Sequence, residues 1–278
     1  MFEYSIVQIL AFFYFYCLFG WCFETTYVSI NSKKFVNRGF LRGPWVPIYA
    51  TGAFVILLFT KQFEGSLLLV FITGMIGATL LELITGFLME SIFKIRYWDY
   101  SDEKFNFKGY ICLATSIAWG VLSVFLIAIF HKFVEKIILS FAEQNLKIIV
   151  ALISLIFIID LTLSIKAALD IADILRVMEQ SKEDAKNEIA RMHKRLDVYV
   201  AVAADVKDGI MEEFERRMQL RADHIRIRTH GINDFYKRSM IKGNPKMKSK
   251  RFKGTIEEIR LYLNSHRKKE SEYEDKEK

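Results

Sequence analysis

Apolar residues crowd into the first 176 positions of this 278-residue chain, and charged residues crowd into the remainder. A bilayer core about 30 Å thick needs roughly 20 apolar residues of helix to cross it. Five stretches qualify by composition: residues 5–30, 44–61, 66–93, 109–131 and 147–170. Because backbone groups in lipid must pair internally, these stretches predict helices, and the alternation that a membrane barrel needs is absent. The pattern predicts an all-α, polytopic membrane protein with about five transmembrane helices.

The apolar period changes after the fifth stretch. Ten positions there follow a spacing of three and four, with Lys182 filling one further place: Leu175, Met178, Ala185, Ile189, Met192, Leu196, Tyr199, Ala203, Val206 and Ile210. Such spacing indicates a coiled-coil or helix-hairpin seam, and a long single helix packing on itself is the alternative. The chain is thus expected to divide into a transmembrane domain (1–172), a cytoplasmic helical or coiled-coil segment (173–235), and a basic linker with a short terminal helix (236–278).

Lys and Arg residues in the short loops predict the orientation. The loops after the first and third predicted spans each hold four of them, whereas the loop after the second holds only Lys61. Short loops rich in Lys and Arg stay on the cytoplasmic side. With five spans, all the rich segments lie on that side. We therefore expect a multi-pass protein of the cell membrane with its N-terminus outside and its tail in the cytoplasm.

The third predicted span carries small and acidic residues at every fourth position. These are Gly74, Ala78, Glu82, Gly86 and Glu90, which share one stripe of the helix. Small residues let a second helix approach closely, so the stripe is expected to face protein. Glu82 then belongs either to a packing seam or to a functional site, because an ionisable group within a span is costly.

Further charged residues fall near the predicted cytoplasmic interface. Acidic groups at helix ends beside arginines in two loops can pair, and Arg can do so with two hydrogen bonds. A structural polar collar and a binding site for a charged or amphipathic molecule are both open. The candidate binding residues are Glu24, Arg38, Arg42, Glu82, Glu90 and Asp99. We expect them to converge on one cytoplasm-facing cavity with Glu82 as its floor; Asp160, in the fifth span, has the same intramembrane status as Glu82.

The segment Arg96–Gly120 interrupts the apolar sequence with charges and aromatic rings. Amphipathic rings such as Tyr97 and Trp98 settle in the headgroup layer of a membrane. The segment is therefore interpreted as a re-entrant or interfacial cytoplasmic loop that is anchored by its rings and leaves Asp99 available to an arginine.

Three long runs resemble a known family: RGFLRGPWVPIYATGA (Arg38–Ala53), LLELITGFLME (Leu80–Glu90) and WDYSDEKFNFKGYICLATSIAWG (Trp98–Gly120). They are similar to the putative ABC-transporter type IV, or CmpB-like, membrane family, over roughly residues 5–170. The resemblance implies an integral membrane protein of bacterial type with a permease-like role. It brings no assigned substrate and no agreed catalytic residues.

The sequence lacks the common motifs of ATPases, hydrolases and metal-binding proteins. The ATPase loop GxxxxGK[ST], the HExxH and GxSxG motifs and clustered metal ligands are absent from the sequence, so neither a metal nor another cofactor is expected. Cys17, Cys22 and Cys112 lie in apolar runs without metal-type spacing and are expected to be buried hydrophobic residues.

A basic cluster in the tail suggests a partner. Residues Lys237–Lys253 contain eight Lys or Arg and no acid, which suits anionic lipid at about 1 kcal/mol per residue near the surface. A solvated linker is the alternative, and nucleic acid is not expected because no recognition fold accompanies the cluster.

The sequence therefore favours a permease-like or substrate-handling component of a transporter, which requires a separate ATPase and is embedded in the lipid bilayer, alone or as a homo-oligomer. The contrasting function is a membrane scaffold or sensor that recruits partners through its coiled tail. An intramembrane enzyme using Glu82 or Glu90 is a third class, and the lack of catalytic motifs favours a non-enzymatic role.

Overall fold

A computed structural model describes residues 4–60, 63, 65–199, 212, 215–217, 219, 235–249, 256–257 and 259–261, with residues 193–199 as backbone alone. The chain forms two compact units. The first contains Met1–Ala167 and Ser239–Lys248, and the second contains Ala168–Arg238 and Ser249–Lys278. Within the described ranges the structure is helical, with two isolated β-bridges and no strand. The predicted all-α class is confirmed.

The helices occur in the following order: α1 Ile6–Ser32, α2 Pro47–Thr60, α3 Leu67–Phe93, α4 Leu113–Phe125, a π-helix Leu126–Phe130, α5 His131–Ser140, α6 Glu143–Tyr199 and α7 Phe235–Gly243. The segment from α4 through α5 is one continuous helical rod, Leu113–Ser140. Four helices are long and apolar enough to cross a membrane: α1, α3, this rod and α6. They correspond to four of the five predicted spans.

The remaining predicted span, residues 44–61, contains the short helix α2. This helix has 14 residues, which is about 21 Å of rise and less than a bilayer core. It begins at Pro47 because proline is tolerated in the first turn of a helix, where its missing N–H has no intrahelical partner. Pro44 and Trp45 precede it in non-helical conformation.

The segment 33–46, here called the return loop, leads from the end of α1 back to its middle. Val46 N–H donates to Cys17 O at 3.1 Å, so the loop ends half-way along α1. From there α2 runs beside the first half of α1, with the Phe13 and Phe54 rings 6.5 Å apart. The loop and α2 together therefore cover the length that one full span would cover.

The stripe on α3 faces protein, as its sequence predicts. Gly74 lies against Ser123 of α4, and Ala78 is 2% exposed. A Cβ atom at Gly86 would lie 3.0 Å from Tyr110 and 3.2 Å from Trp98. Helix α3 packs on both α2 and α4, so its stripe lies between helices.

Helix α6 continues past its apolar part to Tyr199 without a break, so the predicted boundary at residue 172 falls inside it. Within the second unit Leu175 is buried, Met178 is half-buried and Ile189 is exposed. The coiled-coil seam stays a prediction. Its positions Leu196, Tyr199, Ala203, Val206 and Ile210 lie outside the residues whose side chains the structure describes, as does Lys250–Lys253 of the basic cluster.

Candidate functional site

Glu82 is a buried carboxylate on the protein-facing stripe of α3, and 5% of the residue is exposed. Tyr100 OH donates to its Oε1 at 3.2 Å, and Trp119 Nε1–H donates to its Oε2 at 3.0 Å. Thr115 contributes a further hydrogen bond. A carboxylate within an apolar helix is therefore held by a set of neutral donors from the connecting loop and α4.

Glu24 and Arg38 form an ion pair near the same place. Arg38 Nε lies 3.3 Å from Glu24 Oε2, and the Glu24 side chain is 27% exposed. The Tyr49 side chain also hydrogen-bonds to Glu24. Tyr49 reaches this position because Gly20, which has no side chain, faces its ring.

Tyr100 hydrogen-bonds to Glu82 and lies close enough to Glu24 to be affected by its charge. Burial raises the pKa of Tyr100, and the negative charges of Glu82 and Glu24 beside it raise the pKa further. Tyr100 therefore stays a neutral hydrogen-bond donor. Glu24, Arg38, Glu82, Tyr49 and Tyr100 form one group, which we call the inner polar cluster.

Glu90 and Asp99 belong to a second group, organised by Arg96. The guanidinium pairs with Glu90, lies 3.7 Å from Asp99 and donates to the Lys108 carbonyl at 2.7 Å. Tyr110 OH donates to Glu90 Oε2 at 2.7 Å. Arg96 is 3% exposed, which matches the buried, multiply bonded arginines that planar guanidinium geometry favours.

Asp99 is held as a carboxylate. Burial by itself raises the pKa of Asp99, but hydrogen bonds from Ser101 and the ammonium group of Lys248 outweigh it and leave the pKa below its usual value. Lys248 Nζ lies 3.2 Å from Asp99 Oδ2. Asp99 was predicted to be available to an arginine; it lies beside Arg96 and also pairs with Lys248 of the tail.

Arg42 lies in a third group. Its backbone N–H donates to Asp160 Oδ1 at 3.3 Å, and the Gly43 N–H donates to Asp160 Oδ2 at 2.8 Å. Asp160 thus binds the return loop through backbone groups. The six candidate residues fall into these three groups: Glu24, Arg38 and Glu82 in the inner polar cluster, Glu90 and Asp99 around Arg96, and Arg42 beside Asp160. The convergence of all six on one cavity stays a prediction.

Residues 239–248, here called the returning segment, bind the arginines of the first two groups. Arg38 donates to Gly243 O at 3.1 Å and to Asn244 Oδ1 at 3.0 Å, in addition to its ion pair with Glu24. Arg96 and Lys248 exchange two backbone hydrogen bonds of 2.7 and 3.0 Å. The two arginines that organise the polar groups therefore both bind this returning segment.

Some polar contacts were not predicted from the sequence. Tyr16 OH and His131 Nδ1 lie 2.6 Å apart, and Tyr4 hydrogen-bonds to Glu135. Tyr49, Tyr100 and Trp119 were missed as partners of the carboxylates, although their polar tips in apolar surroundings are a usable signal. In the described part of the chain, no three His, Cys, Asp or Glu side chains are placed to hold a metal ion.

Asp99 gives a prediction about acid stability. Because its pKa is lower in the folded state, its contribution is fully present above the unfolded pKa of about 3.9 and is lost as the pH falls through the folded value. We expect Asp99→Asn to destabilise the full chain by about 1.5 kcal/mol at neutral pH, with the difference from wild type shrinking below about pH 4. Thermal unfolding in detergent across this pH range measures it.

Asp102→Asn is the matched control, because its side chain is 93% exposed and lies 3.9 Å from the same Lys248. It should leave the unfolding temperature nearly unchanged. A difference between Asp99→Asn and wild type that stays constant down to low pH would contradict the assignment.

Comparison with known proteins identifies the family. The family model described as Putative ABC-transporter type IV matches residues 11–165, which contain α1 from Ala11 onward, α2 to α5, the first part of α6 and all six candidate residues. No curated protein and no solved structure matches the chain. The match covers more than half of the 278 residues, so the chain belongs to the Putative ABC-transporter type IV family.

Proposed function

We propose that this protein is the permease-like, substrate-handling component of a transporter and that a separate ATPase supplies its energy. The observation that carries the proposal is Glu82, a buried carboxylate in the middle of an apolar helix with partners on two other segments. Ionisable residues at such places mark substrate or ion pathways in membrane proteins. The adjacent Glu24–Arg38 pair extends the polar groups toward the connecting loops.

The proposal includes five crossings of the cell membrane, with the N-terminus outside and the tail in the cytoplasm. The return loop and α2 provide the fifth crossing as irregular backbone followed by a half-length helix. Such a broken span is tolerated where protein, rather than lipid, satisfies the irregular backbone. Here the Asp160 carboxylate accepts from the Gly43 N–H, and the Cys17 carbonyl accepts from the Val46 N–H.

Cysteine labelling tests this topology. We expect Ser32→Cys and Ser66→Cys to react with a membrane-impermeant maleimide from opposite sides, because the return loop and α2 lie between them. A Cys22→Ala background removes the exposed native thiol. The prediction that all three cysteines are buried is wrong for Cys22, which is exposed on α1, whereas Cys17 and Cys112 are buried. Labelling of both positions from one side would contradict the fifth crossing.

Crosslinking tests the transporter proposal. The exposed side chains of Lys33, Lys34 and Lys94 follow α1 and α3, on the face proposed to be cytoplasmic. An amine-reactive crosslinker applied to native membranes should join the full chain to an ATP-hydrolysing protein, identified by mass spectrometry. An unrelated multi-pass protein of the same membrane is the control. Recovery of only this chain, as a homo-oligomer, would count against a partner ATPase.

A second function, a membrane sensor or scaffold, is favoured by one specific observation. Arg38 is shared between Glu24 of the inner polar cluster and the Gly243 carbonyl of the returning segment. A partner that bound the tail and withdrew this segment would therefore change the environment of Glu24. Binding of anionic lipid by Lys237–Lys253 is a further proposal. Two of its lysines already have acidic partners within the chain, because Lys237 pairs with Asp170 and Lys248 pairs with Asp99.

Gly243 allows the sensor function to be tested. A Cβ atom at this position would collide with the Asn37 carbonyl, so Gly243→Ala should loosen the returning segment. We expect hydrogen exchange at the Arg96 and Lys248 amides to accelerate at least about tenfold, because both hydrogen bonds of their bridge depend on docking. Gly65→Ala is the control, since nothing lies within 4 Å of its added Cβ. Unchanged exchange in Gly243→Ala would contradict a releasable segment.

A further inference from the structure

Two loops of the first unit present exposed phenylalanine rings beside exposed lysines. Phe35 of the return loop is 75% exposed. In the loop between α3 and α4, Phe105 is 81% exposed and Phe107 is 53% exposed. The lysines that precede or flank these rings are also exposed: Lys33, Lys34, Lys104 and Lys108. Exposed apolar side chains along the spans lie against lipid, whereas these three rings lie past the helix ends and have no partner of that kind assigned.

The tip of the second loop is held by its own hydrogen bonds. The Asn106 side-chain amide donates to Ser101 O at 3.1 Å and to Glu103 O at 2.8 Å, and its oxygen accepts from the Gly109 N–H at 3.2 Å. Phe105 has a φ of 54°, which bulky residues rarely adopt. The backbone around Asn106 is therefore fixed, and it keeps the rings on either side of this residue away from the rest of the protein.

The tip lies at the level where the helices leave the bilayer. Helix α3 has 27 residues and a length of about 40 Å, so its ends lie outside a bilayer core of about 30 Å. The base of the loop returns alongside α3, because Trp98 and Tyr110 lie against Gly86, about two turns before the helix ends. Phe107 N–H donates to Ile111 O at 2.9 Å, just before α4 begins. This level corresponds to the headgroup layer of the membrane.

The returning segment shows that both loops lie at the same end of the unit. Arg38 of the return loop donates to Gly243 O at 3.1 Å, and Arg96 of the second loop exchanges two backbone hydrogen bonds with Lys248. The chain from Gly243 to Lys248 is short, so these two anchor points lie within about 18 Å of each other. The three exposed rings and their lysines thus occupy one end of the unit, and together they are here called the loop surface.

The exposed charges of the loop surface are predominantly positive. Among the exposed side chains of residues 33–46 and 94–112, five lysines stand against two carboxylates, a net charge of +3: Lys33, Lys34, Lys94, Lys104 and Lys108 against Asp102 and Glu103. Lys108 Nζ lies 5.6 Å from the centre of the Phe107 ring, so an ammonium group and an apolar ring are presented together. Apolar rings beside basic side chains are typical of protein surfaces that bind anionic membranes.

The rings that the sequence suggested as anchors are not the exposed ones. Tyr97 is 4% exposed and packs edge-on against Phe40, with ring centroids 5.4 Å apart. Trp98 is half-buried, and its Nε1–H donates to Tyr110 O at 2.9 Å. The interpretation of Tyr97 as a headgroup anchor is therefore wrong, because its ring is used to pack the loop on the helices. The exposed phenylalanines are the rings that remain for the membrane.

We propose that the loop surface binds anionic phospholipids of the cytoplasmic leaflet, with Phe35, Phe105 and Phe107 inserted among the headgroups and the neighbouring lysines paired with lipid phosphates. This inference rests on the proposed function, because the proposed topology places both loops on the cytoplasmic side. The same two loops carry Arg38 and Tyr100 to the inner polar cluster. Bound lipid would therefore hold in place the loops that build this cluster.

Lipid titrations followed by native mass spectrometry test the charge selectivity. Phosphatidylglycerol should bind the purified full chain in detergent about tenfold more tightly than phosphatidylcholine. Lys104→Gln/Lys108→Gln should weaken phosphatidylglycerol binding about tenfold, because each lysine near an anionic surface contributes about fivefold, and it should leave phosphatidylcholine binding unchanged. Lys132→Gln/Lys136→Gln is the matched control, since it removes the same charge from exposed lysines of α5. It should change the binding of either lipid less than about twofold.

Lys33→Gln/Lys34→Gln is the second variant, for the case that the first does not fold, and it tests the return loop in the same way. Equal affinity of the wild-type chain for the two lipids would overturn the inference. Unchanged phosphatidylglycerol binding in whichever of the two variants folds would also overturn it.

A spin label at the tip tests the insertion of the rings. Phe105→Cys and Asp102→Cys, each in the Cys22→Ala background, carry a nitroxide on the full chain in nanodiscs of phosphatidylglycerol and phosphatidylcholine. The ratio of collisions with dissolved oxygen to collisions with a water-soluble nickel chelate should be at least about fivefold higher at position 105, because oxygen concentrates in lipid. Asp102 is 93% exposed on the same tip, and its label should stay in water.

Equal contact with water at the two labelled positions would contradict the insertion. A label at position 105 that is exposed to water in nanodiscs and protected only in native membranes would assign the loop surface to a protein partner, which would equally overturn the inference.

The crosslinking experiment separates this inference from the proposed function. An ATPase partner found together with equal affinity for the two lipids would retain the transporter component and remove the lipid-binding surface. Phosphatidylglycerol-selective binding that depends on Lys104 and Lys108, found without an ATPase partner, would retain the lipid-binding surface and remove the proposed source of energy.

Discussion

The hydrogen bonds between the Asp160 carboxylate and the backbone of the return loop are the interaction on which the rest of the structure depends. Irregular backbone among apolar helices needs protein partners, because lipid offers none. Gly43 N–H and Arg42 N–H find one in Asp160. A Cβ atom at Gly43 would lie 3.1 Å from Asp160 Oδ2, so glycine also permits this close approach. With the loop held there, α2 begins half-way along α1, which places Tyr49 against Gly20 and beside Glu24.

Arg96 has the corresponding role in the second irregular loop. Its guanidinium joins the end of α3, through Glu90, to the Lys108 carbonyl, and its backbone joins the loop to Lys248. This arrangement carries Tyr100 back along α3 to Glu82. Both connecting loops therefore deliver polar side chains toward the middle of the apolar helices. They are the parts of the fold that build a site, whereas the long helices provide its walls.

The Tyr49 and Trp119 rings pack together with centroids 5.5 Å apart, and they hydrogen-bond to Glu24 and Glu82 respectively. Arg38 in turn links Glu24 to the returning segment of the tail. A continuous set of contacts thus runs from Glu82 to residues 239–248. For a transporter component this path would couple substrate to a cytoplasmic partner, and for a sensor it would couple substrate to the tail.

The sequence by itself determined the helical class, four long spans, the protein-facing stripe on α3 and the family. These depend on composition and local periodicity, which act within one helix. It also indicated that acidic groups at the helix ends can pair with arginines of the loops, without saying which. Only the tertiary structure decided that 44–61 holds a half-length helix, that Arg96 gathers Glu90 and Asp99, and that Asp160 holds the return loop. Each of these depends on groups far apart in the chain, such as Gly43 and Asp160, whose meeting no local pattern encodes. The partners of Glu82 are of the same kind, because Tyr100 reaches it only when its loop folds back along α3.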